Sequence, residues 1–304
     1  GIVPGRPLLL MLPSELSMVW DESVETVVLS GTEQNKVSSS ISDSYTADGK
    51  GVQLSVNAPF DGGGDLRISG LRVTGFEASS RAPLELWLSE DRTYAESEGT
   101  LRIGKPTLEL ERDLIFVVGD PDSSLGEVVV REDTIASGIT AERDIRLVIP
   151  TGLNLRWDIS AVDLGGSMEG RVSDVINSED RRTILLDVEG DFSDGGELII
   201  SGLRVTDFSG SSTTDNLRLR VNDKGSDNAL STHSLAVAQP EISGAFDQGF
   251  VVGDGPSSMA RITITDEGGI SGISAERDIL LSLPAGAEVA RWDVNAQIEM
   301  GGSA

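Results

Sequence analysis

The sequence repeats itself, and that limits what the chain can fold into. "ERDIRLVIPTGLNLRWD" at residues 142–158 returns as "ERDILLSLPAGAEVARWD" at 276–293, and a weaker copy, "GRPLLLMLPSELSMVWD", occupies 5–21. Three further pairs keep register: "GGGDLRISGLRVTGF" with "DGGELIISGLRVTDF", "FVVGDPDSS" with "FVVGDGPSS", and "KVSSSI" with "RVSDVI". Every pair recurs at about 134 residues, the mark of a tandem duplication with small loop changes. The copies divide the chain into residues 1–113 (leading strands missing), 114–247 (complete) and 248–304 (N-terminal part only). An array cut within its first and third copies accounts for this division. Read from Gly1, the first copy must either borrow its leading strands or leave a sheet edge open, unless residues upstream supply them.

Each copy reads as eight or nine short strands. In the middle copy, "DIRLVIP" alternates Ile145, Leu147 and Ile149 against Arg146 and Val148. "RTILLDVEG" sets Ile184, Leu186 and Val188 on one face, and "NLRLRVND" does the same with Leu217, Leu219 and Val221. Clusters of Gly, Asp, Asn and Ser separate these runs, and no stretch sustains a helical apolar period. Eight or nine strands are too many for one flat sheet. The expectation is therefore all-β: tandem β-sandwich domains, Ig-like or jelly-roll, of about 134 residues each. Pro150 and Pro284 end the repeated strand because proline cannot donate to a ladder, and Thr151-Gly152 then turns the chain. Trp20, Trp157 and Trp292 share one framework position, which points to packing rather than ligand stacking. Gly70 and Gly202, inside strand patterns, mark a bulge or corner.

Composition narrows the function. Fifty acidic against 24 basic residues give a net charge of -26, which excludes nucleic acid and anionic membrane surfaces as partners. There is no cysteine, hence no disulfide and no thiolate chemistry, and no apolar run long enough for membrane insertion as a helix. His233 stands alone, so a multi-histidine zinc site is impossible, and no pair of carboxylates is marked out for catalysis; no enzyme is expected. Calcium is the one cofactor with loop chemistry behind it. Short Asp-rich loops place Asp120 and Asp122, Asp191 and Asp194, and Asp223 and Asp227 as candidate ligands, although Asp is also a common turn residue. Trp87 is the candidate aromatic for a binding face.

On "FVVGD…ITITDEGG…ISAERDILLSLPAG…WD" and "GRVS…ILLDVEGDF…ELIISGLRVTDF…NLRLRV", the chain resembles the tandem Ig-like or cohesin-like β-sandwich repeats of very large bacterial surface or secreted proteins. The resemblance implies an extracellular or cell-surface location and a structural role as fibre, surface layer or adhesin stalk. Self-association or contact with neighbouring copies in a filament follows from the same reading. The alternative is a calcium-dependent carbohydrate- or protein-binding module. The matching residues are framework, so no site residues transfer. The first copy departs in its loops: it is read as inserting residues around Glu33-Gln34-Asn35, and it has Trp87 where the second has Arg220. Pro106 and Pro240, at equivalent points of the joints 103–120 and 237–254, predict stiff connections.

Overall fold

A computed structural model describes residues 2–89, 92–221, 227–266, 269–275, 277–283, 291–293 and 296–302. The protein is all-β: the described residues hold short strands and two single-turn 3-10 helices, Gln34–Lys36 and Glu169–Arg171.

The middle copy is a sandwich. One layer runs Asp163–Gly165, Glu197–Ser201, Val128–Arg131, Thr107–Leu110. The other runs Ala229–Ala238, Ser212–Arg220, Ile145–Val148, Thr183–Val188, Val172–Asn177, and Leu114–Val117 lies parallel to Ala229–Ala238 at its outer side. The layers are joined at one edge by a single parallel pair, Leu108 with Ser231. A short ladder of Ser123–Ser124, Arg204–Thr206 and Arg156–Asp158 closes one side.

Period-two patterning builds this core. Ile145 faces Leu186, and Leu147 faces Ile184 and Leu219, in an antiparallel register that leaves all five side chains buried. From the opposite layer Val128, Val130, Leu198 and Ile200 interdigitate with them around Trp157, which is fully buried. Leu153 and Leu155, on the return from the Pro150 turn, are buried as well. The Pro284 turn and its Ala285-Gly286 pair lie outside the described residues.

The first copy repeats the second layer in the order Gly51–Leu54, Leu8–Met11, Ser80–Ser89, Arg92–Ile103, over a smaller core that includes Leu8, Leu12, Leu16, Trp20, Val52 and Leu54. Its opposite layer is the two-stranded ladder Val28–Ser30 with Arg67–Ser69. The Glu33-Gln34-Asn35 stretch is the counterpart of Met168-Glu169-Gly170 and not an insertion. Glu33 N–H meets Asp65 O as Met168 N–H meets Glu197 O, both at 3.0 Å.

Beyond Ala238, Glu241–Gly244 pairs with Ile262–Thr265 in a hairpin, at the positions that Thr107–Leu110 and Val128–Arg131 hold one repeat earlier. Strand Thr107–Leu110, inside the stretch 103–120 read as a joint, pairs with Val128–Arg131 and buries Leu108 and Leu110 in the middle core. What connects the two cores is therefore only the few residues around Gly104 and Pro106.

Candidate functional site: the joint between copies

Between the first two cores stands the loop 132–141. Glu132 is buried at the end of Val128–Arg131, and its carboxylate accepts the Asp133 N–H at 3.0 Å and the Ile139 N–H at 2.7 Å. Asp194 Oδ1 accepts the Ser137 N–H at 2.8 Å, and Asp191 Oδ1 accepts the Ala141 N–H at 3.0 Å. Three carboxylates thus hold one loop by its amides. Charge-assisted bonds of this kind are about twice as strong as neutral ones. The loop so held presents Ala136 and Gly138 to the end of the first copy. A side chain at Gly104 would fall 2.5 Å from Gly138 N and 2.6 Å from Ala136 O. Two backbones meet there, and only glycine fits. Arg81 of the first copy adds an ion pair to Asp194 at 3.6 Å.

The next joint repeats the arrangement. Asp266, at the position of Glu132, accepts the Gly272 and Ile273 N–H groups at 3.0 Å each. Gly272, at the position of Gly138, presses against the middle copy: a side chain there would lie 2.7 Å from the Ala238 Cβ and 3.2 Å from the Val117 Cγ2. An ion pair again crosses the joint. Arg277 reaches both oxygens of Asp120 at 2.9 Å and donates to Ile115 O at 3.2 Å. Asp120 also accepts the Val117 N–H at 2.8 Å, which holds the carboxylate where the guanidinium meets it.

The candidate calcium ligands are thereby placed individually. Asp120 serves the second joint; Asp191 and Asp194 hold the loop of the first. Asp122, beside Asp120, is exposed, and its carbonyl accepts from Arg204 at 2.8 Å. Asp227 binds Arg220 Nε at 2.6 Å and Arg218 at 3.1 Å. Asp223 lies outside the described residues. Among the described residues, no three histidine or carboxylate side chains converge as a metal-ligand group.

In the first two copies the repeated Trp-Asp pair is framework with a defined job, whereas Trp292, expected at the same packing position, is 44% exposed. Trp157 Nε1 donates to Arg182 O at 3.1 Å, and Trp20 Nε1 to Lys50 O at 3.0 Å. The following carboxylates each cap a turn: Asp21 Oδ1 accepts the Ser23 hydroxyl and N–H, and Asp158 Oδ1 the Ser160 N–H. Hydrogen bonds from Ser23 and Ser160, respectively, hold Asp21 and Asp158 below the ordinary aspartate pKa. Lys50 and Arg182 complete the unit from below. Arg182 donates to Pro150 O and, at 3.0 Å, to Leu153 O; Lys50 donates to Leu16 O and, at 2.7 Å, to Met18 O. Trp87 is half-buried, with Nε1 on Glu85 at 2.7 Å, and His233 Nδ1 lies 3.5 Å from Asp113.

No protein-family model matches the chain, and no curated protein does. Solved structures similar to it include the collagen adhesin of S. aureus, at 11% identity over 78% of this chain and 83% of that one, TM-score 0.21. A type I cohesin–dockerin complex from Clostridium thermocellum matches at 10% identity over 44% and 94%, TM-score 0.20. The major pilin SpaA of Corynebacterium diphtheriae matches at 12% identity over 78% of this chain and 64% of that one, TM-score 0.25. At such scores the functional reading stands on the chain's own geometry. Among the described residues, no helix is long and apolar enough to cross a membrane.

Proposed function

We propose that the chain is a segment of a non-enzymatic extracellular repeat array, a fibre, surface layer or adhesin stalk in which each β-sandwich is set against the next through a built joint. The division into copies falls near Gly104 and again near Ala238. The observation that carries the reading is the repetition of the joint. In both cases a carboxylate-held loop presses a glycine against the end of the preceding copy. An arginine–aspartate pair also crosses each joint, formed by non-equivalent residues, Arg81–Asp194 in one and Arg277–Asp120 in the other. A flexible linker needs no such contact; a rod that transmits position does. Against the calcium-dependent alternative, four of its six candidate carboxylates, Asp120, Asp191, Asp194 and Asp227, accept amide or guanidinium protons.

The absence of native cysteine makes the test direct. Spin labels on Glu25→Cys and Asp174→Cys, exposed sites in adjacent copies, report the joint by pulsed electron paramagnetic resonance. A single narrow distance distribution is expected. A broad one, as wide as a Gly/Ser-linked pair would give, refutes the stiff array. Surface location is tested separately by protease treatment of intact source cells, which must release fragments of the chain.

A further inference from the structure

The first two copies differ on one side of the sandwich. Two positions fix the comparison. Trp20 matches Trp157, and Gly31 matches Gly166, where an added side chain would fall 2.5 Å from Asp65 O and from Glu197 O respectively. Gly31 lies eleven positions after Trp20, but Gly166 only nine after Trp157. In the first copy the longer route closes the gap between the two layers. Val27 N–H donates to Ser39 O and Ile41 N–H to Glu25 O, both at 2.9 Å. Thr26 pairs antiparallel with Ser40, and Val27 is buried.

The middle copy lacks that bridge. Val172–Asn177, the last strand of its layer, pairs among the described residues only with Thr183–Val188. A bulge passes over Ser173, so Asp174 faces Asp187 as Ser38 meets Ser55 in the first copy. Val175 O and Asn177 N–H therefore stand where Ser39 O and Ile41 N–H stand. Among the described residues, no other segment's backbone bonds to them. Between this strand and Asp163–Gly165 of the opposite layer lies an open cleft of about 570 Å³. Its floor is Ile159, Val162, Leu164, Val172 and Val175, all partly buried against the core. Every lining residue belongs to the middle copy, and none takes part in either joint.

The rim decides what the cleft can take. Asp163, Glu169 and Asp174 are exposed and form no ion pair among the described residues, and no lysine or arginine lines the cleft. Asp174 Oδ1 accepts the adjacent Val175 N–H at 2.8 Å, a local bond that an arriving strand can replace. A second copy of this chain, with its net charge of -26, is repelled at such a rim. Together with the bulge, the carboxylates guard the edge against pairing with its own kind. A basic segment is attracted instead, since its cations meet carboxylates that have no cation of their own.

We propose that the cleft of the middle copy receives an extended basic segment of a partner protein, which adds antiparallel to Val172–Asn177. One apolar side chain of that segment takes the place that Val27 takes in the first copy, against the cleft floor. Its flanking lysines or arginines meet Asp163, Glu169 and Asp174. Main-chain hydrogen bonds supply the attachment, while the apolar floor and the carboxylates select the partner. The first copy covers this edge with its own chain; the middle copy offers it to another protein. The inference uses neither joint and does not rest on the array reading.

Fluorescence anisotropy with the 304-residue chain tests it, using a short labelled peptide in which lysine alternates with valine and a second in which glutamate replaces lysine. The lysine peptide must bind saturably, one per chain, and must slow amide hydrogen exchange within 172–177. No binding, or protection confined to other segments, overturns the proposal. A chimaera that carries residues 22–29 in place of 159–164 closes the cleft as the first copy does. The exchange brings two carboxylates for one, so simple charge attraction predicts binding at least as tight as before. Binding weaker by about tenfold or more is expected, and unchanged affinity overturns the assignment. Asp163→Lys combined with Asp174→Lys, both at exposed positions, keeps the test open if the chimaera fails to fold. That variant must lose the lysine peptide and gain the glutamate peptide, and an unchanged preference refutes the role of the rim. Protection of 172–177 that grows with protein concentration in the absence of peptide assigns the edge to a second copy and overturns the proposal.

Discussion

Replacing Arg182 by methionine keeps an unbranched apolar stem and removes the charged fork that ties down the Pro150 turn. In the folded protein that fork donates to Pro150 O and Leu153 O, and both residues are buried. Water cannot replace the lost donors, so each carbonyl loses a charge-assisted bond, a cost of about 1.5–3 kcal/mol apiece. An opposing effect reduces the sum. Burial, followed by the nearby Arg156 charge, lowers the Arg182 pKa, so holding this cation in place is itself costly. The net destabilisation expected is about 2–4 kcal/mol. Arg182→Lys is expected to cost less, about 1 kcal/mol, because in the first copy the Lys50 ammonium holds Leu16 O, the counterpart of Leu153 O, although its second bond goes to Met18 O rather than to the counterpart of Pro150 O. Urea unfolding followed by fluorescence reads the effect, in a background where Trp157 is the one indole left. Trp157 is the right reporter, since its own N–H ends on Arg182 O. If Arg182→Met unfolds within about 0.5 kcal/mol of the parent, the two carbonyls are not held by that side chain and the reasoning fails.

Two further tests use equivalent positions and acid. Gly70 and Gly202 both have positive φ (+90° and +70°), but a side chain at Gly202 would lie 1.9 Å from Ala161 O, whereas at Gly70 the nearest atom is 3.9 Å away. Alanine should therefore cost about 1–2 kcal/mol at Gly70, from backbone strain alone, and more than about 3 kcal/mol at Gly202; equal costs in urea unfolding would refute the packing argument. Asp48 and Asp180 are held below the ordinary aspartate pKa by the hydroxyls of Thr46 and Ser178, then by the Lys50 and Arg182 amides. A depressed folded pKa contributes stability that is present above the unfolded value, about 3.9, and is lost as pH falls through the folded one. Melting temperature should accordingly hold at mildly acidic pH and drop below about pH 4, and Asp180→Asn should make that drop shallower.

How far the fold can be read from the sequence depends on which residues carry it. Strands such as Ile145–Val148 announce themselves, since a half-buried strand must alternate and one slip would turn every apolar side chain outward. Trp157 is legible through recurrence, since Trp20 and Trp157 meet one environment. For Gly70 and Gly202, recurrence announces the shared positive φ but not the close approach of Ala161 O that only Gly202 has. The joint is not legible in this way. Asp191 and Asp194 look like any acid in a turn, because the amides they hold, at Ala141 and Ser137, lie 50 and 57 residues away in sequence. Asp120 and Arg277 are separated by 157 residues and belong to different copies, so no local pattern pairs them. Glu132 and Asp266 differ in type, which hides a shared role. A usable signal was present in the constant spacing of Lys50 and Arg182, each two places after an aspartate.

Strand Thr107–Leu110, followed by Leu114–Val117, enters the middle copy and Ala229–Ala238 leaves it, the entering strands running parallel beside the leaving one. Tension along an array would pull the entering strands from their N-terminal end and the leaving strand from its C-terminal end. The hydrogen bonds between them would then be loaded together in shear, not opened one at a time like a zipper. The sandwich is strapped across the line of force, a geometry in which a short ladder resists stretching far better than its length suggests.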